Sequence, residues 1–482
     1  MLLDTPQEHL SASATLAARL NGHKVNRSST APSSTFYKNL EEALDVRRKS
    51  NSLYSIVPVD GTEHLIDFCS NDLLSLSTSG ALSKEYLAEL ARHPGFGTNS
   101  GGSRMVDGNY PYLEQTEKAI ANFHGYEAGV MLGSGFDANV AIWTAIPRPG
   151  DVMLYDEASH ASTLDGMKQA LTKHKAEFQH NDLDSFRTTL ASIFVSHPLV
   201  RQGKRSVLVS VEATYSMDGD ICPLREMIDI ANEISRGKGN VQFVVDEAYG
   251  TGTIGAEGKG FVCELGLEKE VAVVLHSFAK GLGCHGAIVV GNATIRSIIA
   301  NFARSFQFTT APPFAHVAMI KAGYNLLTAE PGREARRNVQ SLVGLFYDRM
   351  TSHPLWEEAK RRGILSIPQA EGWEERPFLT HVVIVQTLQK YTYWLYFNIL
   401  FAGCNVMPVS HPVVPVGQSR LKITIHGGNT QEEVEILLES IYSWVEEIFA
   451  LESSGKKGQA TAAAEQVYGW MRAQHLTGFG MV

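Results

Sequence analysis

The chain predicts an α/β fold built on a largely parallel sheet, followed by a smaller α+β C-terminal domain. Three observations carry this. From residue 112 to about residue 300, short apolar runs alternate with helical patterns, as in a parallel sheet covered by helices on both faces. Those apolar runs are nearly continuous in valine, leucine and isoleucine, as strands buried on both faces require. At 482 residues the chain is also too long for one simple core. The expected division is an N-terminal extension and helix over 1–60, a large domain over 61–325, a small domain over 326–450, and a linker and tail over 451–482.

In chain order, residues 1–35 are rich in Ser, Ala and Thr and are expected to be loosely attached. Residues 36–50 read as a helix, and 55–76 as strands and turns. Residues 94–112 hold Gly95, Gly97, Gly101, Gly102 and Gly108, a loop either beside a ligand or simply in solvent. Helices are expected at 112–124, 137–147, 161–174, 183–196 and 223–236. Strands are expected at 128–132, 151–155, 206–211, 241–245, 271–275 and 287–290. Residues 314–352 read as one long helical region. Strands near 380–386, 405–408 and 420–425 then mix with helices near 387–402 and 430–450. Residues 452–464 read as a linker, with one more short helix after it. No internal repeat is found.

Composition narrows the function. A hydrophobic share of 44% and a charged share of 19% are those of an ordinary globular protein. A net charge of −9 without any basic run argues against nucleic acid as a partner. Cys69, Cys222, Cys263, Cys284 and Cys404 are scattered and form no C-x-x-C pair, which predicts free thiols and neither a disulfide framework nor a metal site. No run is long and apolar enough to span a membrane. The most apolar stretch, 391–409, is broken by Asn398, Gly403, Asn405 and Pro408. Asp4 and Glu8 argue against a secretory leader. A cytoplasmic location is expected, and Arg19, Lys24 and Arg27 leave a mitochondrial one open, as a peroxisomal one is.

Two strand ends carry the chemistry. The run V-A-V-V-L at 271–275 leads into H-S-F-A-K-G-L-G-C-H-G-A, where Lys280 is followed by Gly281, Gly283 and Gly286. Burial makes a lysine amine less basic and more nucleophilic. A surface loop lysine is the alternative on this stretch alone. The run V-Q-F-V-V at 241–245 ends in Asp246. A Schiff-base lysine with an acidic partner for a pyridinium nitrogen is the mark of pyridoxal phosphate.

With these, nine motifs resemble the α-oxoamine synthase family, which includes 8-amino-7-oxononanoate synthase, 2-amino-3-ketobutyrate ligase, 5-aminolevulinate synthase and serine palmitoyltransferase. They are S-N-D-L-L at 70–74, G-G-S-R at 101–104, G-S-G-F-D-A-N at 133–139, S-H-A-S at 159–162, H-N-D at 180–182, Y-S-M-D-G-D at 215–220, D-E-A-Y-G-T-G at 246–252, S-F-A-K-G-L-G at 277–283 and F-T-T-A-P-P at 308–313. The resemblance implies the fold type I architecture of pyridoxal-phosphate transferases, similar to aspartate aminotransferase, with a mostly parallel seven-stranded sheet. It implies that Ser134, Gly135 and Phe136 hold the cofactor phosphate. It places His160 on the pyridine ring, Ser216 near the cofactor's phenolic oxygen and Asn71 near the amino acid. Thr309 and Thr310 would reach the phosphate from a second subunit, which makes the enzyme a homodimer.

The chain also departs from the family. Tyr249 stands where a histidine is usual, and its hydroxyl titrates near 10 where an imidazole titrates near 6.5. Lys422 stands where several members carry an arginine that binds the substrate carboxylate, so charge is kept but two-pronged geometry is lost. Arg420 shares its side if the segment is a strand. Tyr54 stands where pimeloyl-using members carry an arginine. The implied activity is a decarboxylating condensation of an amino acid with an acyl thioester, on CoA or a carrier protein. Transamination, an aldol-type cleavage and a catalytically silent partner subunit are the alternatives.

Overall fold

The valine-rich runs become strands, and several of them end in a polar residue. A computed structural model describes residue 16 and residues 34–50, 64–411, 413–454, 459–473 and 479–481. The expectations for the first 33 residues and for Tyr54 lie outside this set, residue 16 apart. Two compact bodies form. One is Asn71–Gln340 with 426–428, and the other is made of the described residues outside that range.

After β1 (Ile66–Asp67), the strands of the larger body are β2 (Ala128–Leu132), β3 (Val152–Asp156), β4 (Lys175–Phe178), β5 (Val207–Glu212), β6 (Val241–Asp246), β7 (Val271–Ser277) and β8 (Ala287–Gly291). They make one seven-stranded sheet in the order β2-β8-β7-β6-β5-β3-β4. Only β8 runs against its neighbours. This is the mostly parallel architecture the alternation predicted. Every residue of β5 and β8 is buried, because helices cover the sheet. The helix Gly135–Ala145 packs Ala138, Ile142 and Trp143 into one core with Val130, Leu208, Val244 and Val273. Parallel strands bring their carboxyl ends to one edge, where open α/β sheets place their ligands. Glu212 of β5 stands beside Asp246 of β6 in the register, and β7 leads from that edge to Lys280.

Two elements differ from the sequence reading. The helix expected over 161–174 ends at Gln169, and 175–178 forms the edge strand β4. K-A-E-F is too short and too charged to register as a strand, which is how edge strands avoid pairing with other chains. The helical region 314–352 is two helices, Phe314–Thr328 and Glu330–Ser352, with Ala329 extended between them. Pro331 explains the break, since a proline sits well in a first helical turn and fails inside one.

In the other body β9 (Val382–Gln386), β11 (Met407–Val409) and β12 (Arg420–Thr424) form an antiparallel sheet in the order β11-β12-β9. β10 (Cys404–Asn405) pairs with β1. The helix Ala462–Ala473 begins inside the expected linker, and Tyr468 on it accepts the indole N–H of Trp394 at 3.1 Å. Among the described residues no helix is long and apolar enough to cross a membrane. The five cysteines are unbonded thiols, and Cys284 packs on the carbonyls of Leu282 and Met319.

Candidate active site

Lys280 follows β7 in a turn that glycine makes possible. A side chain at Gly281 would put its Cβ 2.2 Å from the carbonyl oxygen of Thr251, and Gly283 is left-handed with φ +63°. The turn aims the Lys280 amine at Tyr249, 3.4 Å from the ring centroid. Burial lowers the amine to about pKa 8, with the Asp246 charge pulling the other way. At neutral pH a usable fraction is therefore unprotonated.

Asp246 is held from two sides. Its Oδ1 accepts the Ala248 N–H at 2.8 Å, and its Oδ2 accepts the side-chain amide of Asn139 at 2.8 Å. Asn139 is buried on the inner face of the helix Gly135–Ala145 and also donates to Ser162 Oγ at 3.0 Å. Two fixed donors hold the carboxylate in one orientation, as a partner for a ring nitrogen must be held.

His160 caps the helix Ala161–Gln169. Its Nδ1 lies 2.7 Å from Ser162 Oγ and accepts the Ser162 N–H. Phe136 meets the imidazole edge-on, at 6.5 Å between centroids. The crowding of its neighbours lowers the His160 pKa, partly offset by Asp246. Ser134 caps the helix Gly135–Ala145, its Oγ accepting the Asp137 N–H at 3.1 Å. The first turn of that helix offers backbone N–H groups with no intrahelical partner, a fitting seat for phosphate. Gly135 faces Ser277 Oγ at the end of β7. Ser216 is half-buried in the turn after β5. The Tyr249 hydroxyl donates to Asn71 Oδ1 at 3.4 Å.

Other motif residues do structural work. His180 of H-N-D lies between Asp156 and Asp220, 2.9 Å from each. Burial alone would lower its pKa, but the two carboxylates raise it to about 10. It thereby clamps the end of β3 to the Y-S-M-D-G-D turn. Arg104 of G-G-S-R pairs with Glu114 and Glu117. The loop 100–110 around it holds the 307–312 segment. Ser100 donates to the Ala311 carbonyl at 2.8 Å, Ser103 to that of Gln307 at 2.6 Å, and Tyr110 to that of Pro312 at 2.8 Å. Thr309 and Thr310 are exposed between these anchors.

The structure thus brings Lys280 against the Tyr249 ring, with Asp246 and His160 close enough to act on its charge. Arg420 and Lys422 belong to the other body and are buried on β12. Sequence reasoning missed two members. Asn139 closes the G-S-G-F-D-A-N stretch, and its signal was a polar residue on an otherwise apolar helix face. Glu212 is a buried carboxyl beside Asp246 that accepts the His160 N–H at 2.7 Å. Burial, and after it the Asp246 charge, pushes it up to about 8. Its signal was a strand that ends in an acid, as Asp246 ends β6. Among the described residues no cluster of three His, Cys, Asp or Glu could hold a metal.

A profile of the aminotransferase class I and II family matches residues 63–441. The chain is 49% identical over 440 residues to an aminoacyl transferase sphA of Aspergillus fumigatus, covering 91% of this chain and 93% of that one. It is 37% identical over 414 residues to an 8-amino-7-oxononanoate synthase of Emericella nidulans, covering 84% and 95%. The solved serine palmitoyltransferase of Sphingomonas wittichii superposes with a TM-score of 0.68 at 21% identity, covering 86% and 98%. The chain belongs to the α-oxoamine synthases. These are pyridoxal-phosphate-dependent acyltransferases of fold type I. The residues present fit that cofactor, for the anchored carboxylate of Asp246, the weakly basic amine of Lys280 and the open helix start at Ser134 match its ring nitrogen, aldehyde and phosphate.

Proposed function

We propose that this α-oxoamine synthase joins an amino acid to an acyl thioester at the strand edge between Asp246 and Lys280. The observation that carries the reading is a lysine amine lowered to about 8 beside a carboxylate fixed by Asn139. When bound, pyridoxal phosphate supplies an electron sink for the carbon that bears the amino group. Lys280 would be the point of covalent attachment and the base for the α-proton. Asp246 would keep the ring nitrogen protonated. His160 would cover the ring, the turn Ser134-Gly135-Phe136 would hold the phosphate, and Ser216 and Tyr249 would serve the phenolic oxygen. Asn71 orients the amino acid, and Lys422 with Arg420 binds its carboxylate. The α-carbon forms a bond to the acyl carbon, the thiol leaves with a proton, and carbon dioxide is lost. A proton returns to the α-carbon and gives an α-aminoketone. A second copy of the chain would supply Thr309 and Thr310 to the phosphate.

The experiment is a screen of amino acids against acyl-CoA and acyl-carrier-protein thioesters, read by carbon dioxide and free thiol. Protein saturated with pyridoxal phosphate should show a visible band that borohydride bleaches, leaving the cofactor on the Lys280 peptide. Stoichiometric release of carbon dioxide and thiol is the expected result. Formation of a keto acid without thiol release would replace this reading with transamination.

A further inference from the structure

Glu212 ends β5 with its side chain in the sheet edge, 8% exposed. Asp246 is its register partner on β6. Its Oε1 accepts the backbone N–H of His160 at 2.7 Å, the residue that caps the helix Ala161–Gln169. Its own N–H reaches the Tyr215 hydroxyl at 3.3 Å. The other charged groups that act on it are Lys280 after β7 and Asp156 at the end of β3. Two buried carboxyls side by side do not both ionise cheaply. Asp246 has two donors, the Ala248 N–H and the Asn139 amide, and Glu212 has the one N–H of His160. Glu212, with the single donor, is therefore the carboxyl that keeps a proton.

We propose that Glu212 is a positioning residue that holds the main chain of His160 as a neutral acid, so that Asp246 alone carries negative charge at the site. This rests on the cofactor reading above, in which His160 covers the ring that Asp246 serves. The same arrangement gives the imidazole a fixed height above the strand edge while leaving its side chain free to contact a ligand. It also keeps a second anion away from the Lys280 amine, which would otherwise be held protonated. Burial and the Asp246 charge raise Glu212 to about 8, in line with the donor count.

The test compares Glu212→Gln with Glu212→Ala. Glutamine keeps an acceptor for the His160 N–H and cannot ionise, and alanine removes the acceptor. At neutral pH, the infrared difference between parent and Glu212→Gln should contain the carbonyl stretch of one protonated carboxyl. In cofactor-free protein labelled with 15N-histidine, the His160 signal, identified by its loss in His160→Asn, should stay in place in Glu212→Gln and move in Glu212→Ala. With pyridoxal phosphate bound, release should quicken by about tenfold or more in the alanine variant only, about 1.4 kcal/mol. A carboxylate stretch in place of the acid, or a His160 signal unmoved by alanine, overturns the proposal. Failure to bind the cofactor at all would instead sink the cofactor reading, since the infrared and histidine measurements do not need it.

Discussion

The amine of Lys280 sits 3.4 Å from the centroid of the Tyr249 ring, and the hydroxyl of that ring donates to Asn71. An aromatic face favours the ammonium form by about 0.5–2 kcal/mol, so Tyr249 works against the burial that lowers Lys280. Removing the ring with Tyr249→Leu should make the amine still less basic, by up to about one and a half pH units. Tyr249→Phe keeps the ring and should leave that midpoint in place while weakening amino-acid binding through Asn71. The rate at which cofactor-free protein takes up pyridoxal phosphate, followed against pH, reads the midpoint. A Leu variant whose midpoint matches the parent's would rule out the ring as a contributor.

Asp246 owes its fixed position to Asn139, and the two should fail together. Asp246→Asn should still take up the cofactor but slow deuterium exchange at the substrate α-carbon by on the order of a hundredfold or more, because an amide cannot hold the ring proton. Asn139→Ala removes one donor from the carboxylate and should cost about 1–3 kcal/mol, roughly five- to a hundredfold in the same exchange rate. Exchange by Asp246→Asn at the parent's rate would remove Asp246 from the ring-partner role.

The parts of this site that were legible in the sequence are those where one residue breaks a strong pattern. Asp246 and Lys280 stand at the ends of valine-rich strands, and the glycines after Lys280 mark a turn that no side chain could enter. The sheet was legible for the same reason, except at β4, whose charges hide it. Glu212 and Asn139 were not legible as site residues, because their roles come from neighbours on other strands and helices. Glu212 matters through its register with Asp246, and register is a property of the folded sheet. Likewise His180 and Asp220 sit in quoted motifs, and only the fold shows that they clamp the end of β3 to a turn.

Homodimerisation should be required for activity. Thr309 and Thr310 are exposed on a segment anchored to the loop 100–110, and Phe308 beside them is 72% exposed. Side chains meant for a second copy should look like this in one chain. Light scattering on fully active protein should give twice the mass of 52.8 kDa, and Thr309→Ala with Thr310→Ala should weaken cofactor binding. A fully active monomer would refute the shared site.

Acid should destabilise the larger body through a pair of histidines. His124 and His276 are buried and stack with centroids 3.5 Å apart. His124 bridges the Lys259 carbonyl and the Tyr324 hydroxyl, and His276 meets Thr251. Burial lowers His124 to about 3 and His276 well below its usual value. With the folded values depressed, the unfolded chain binds protons first as pH falls below about 6.5, so the stability from neutral imidazoles is full above that point and lost below it. Glu212 and Glu247, both raised by burial, act in the opposite sense, so a difference between variants isolates the histidines. Between about pH 6 and 4.5, His276→Gln should lose stability less steeply than the parent, by about 1.4 kcal/mol per pH unit. Equal slopes in urea titrations would dismiss the pair as an acid sensor.

The carboxylate of the amino acid should be read by β12. Arg420 and Lys422 alternate with Leu421 and Ile423, so both cations share one face of the strand. Arg420 already gives two of its N–H groups to Gln418, one to the carbonyl at 3.0 Å and one to the side chain at 3.1 Å. Lys422 stands opposite Ile384 and Met407, with a compact ammonium on a flexible stem. Lys422 holds the position where several family members carry a carboxylate-binding arginine, so the expected main contact is Lys422, with Arg420 bracing the strand. Lys422→Ala should weaken amino-acid binding by about 1.5–3 kcal/mol, roughly ten- to a hundredfold, and leave acyl-thioester affinity nearly unchanged. Lys422→Arg keeps the charge and adds a fork that matches a carboxylate, so it should bind as well or better. Arg420→Ala should cost less in binding than Lys422→Ala and more in thermal stability, because it releases Gln418 from the strand end. Titrating several amino acids into the three variants, followed by the visible band of the bound cofactor, separates these outcomes. Parent-like affinity in Lys422→Ala would move the carboxylate to Arg420 or off this strand.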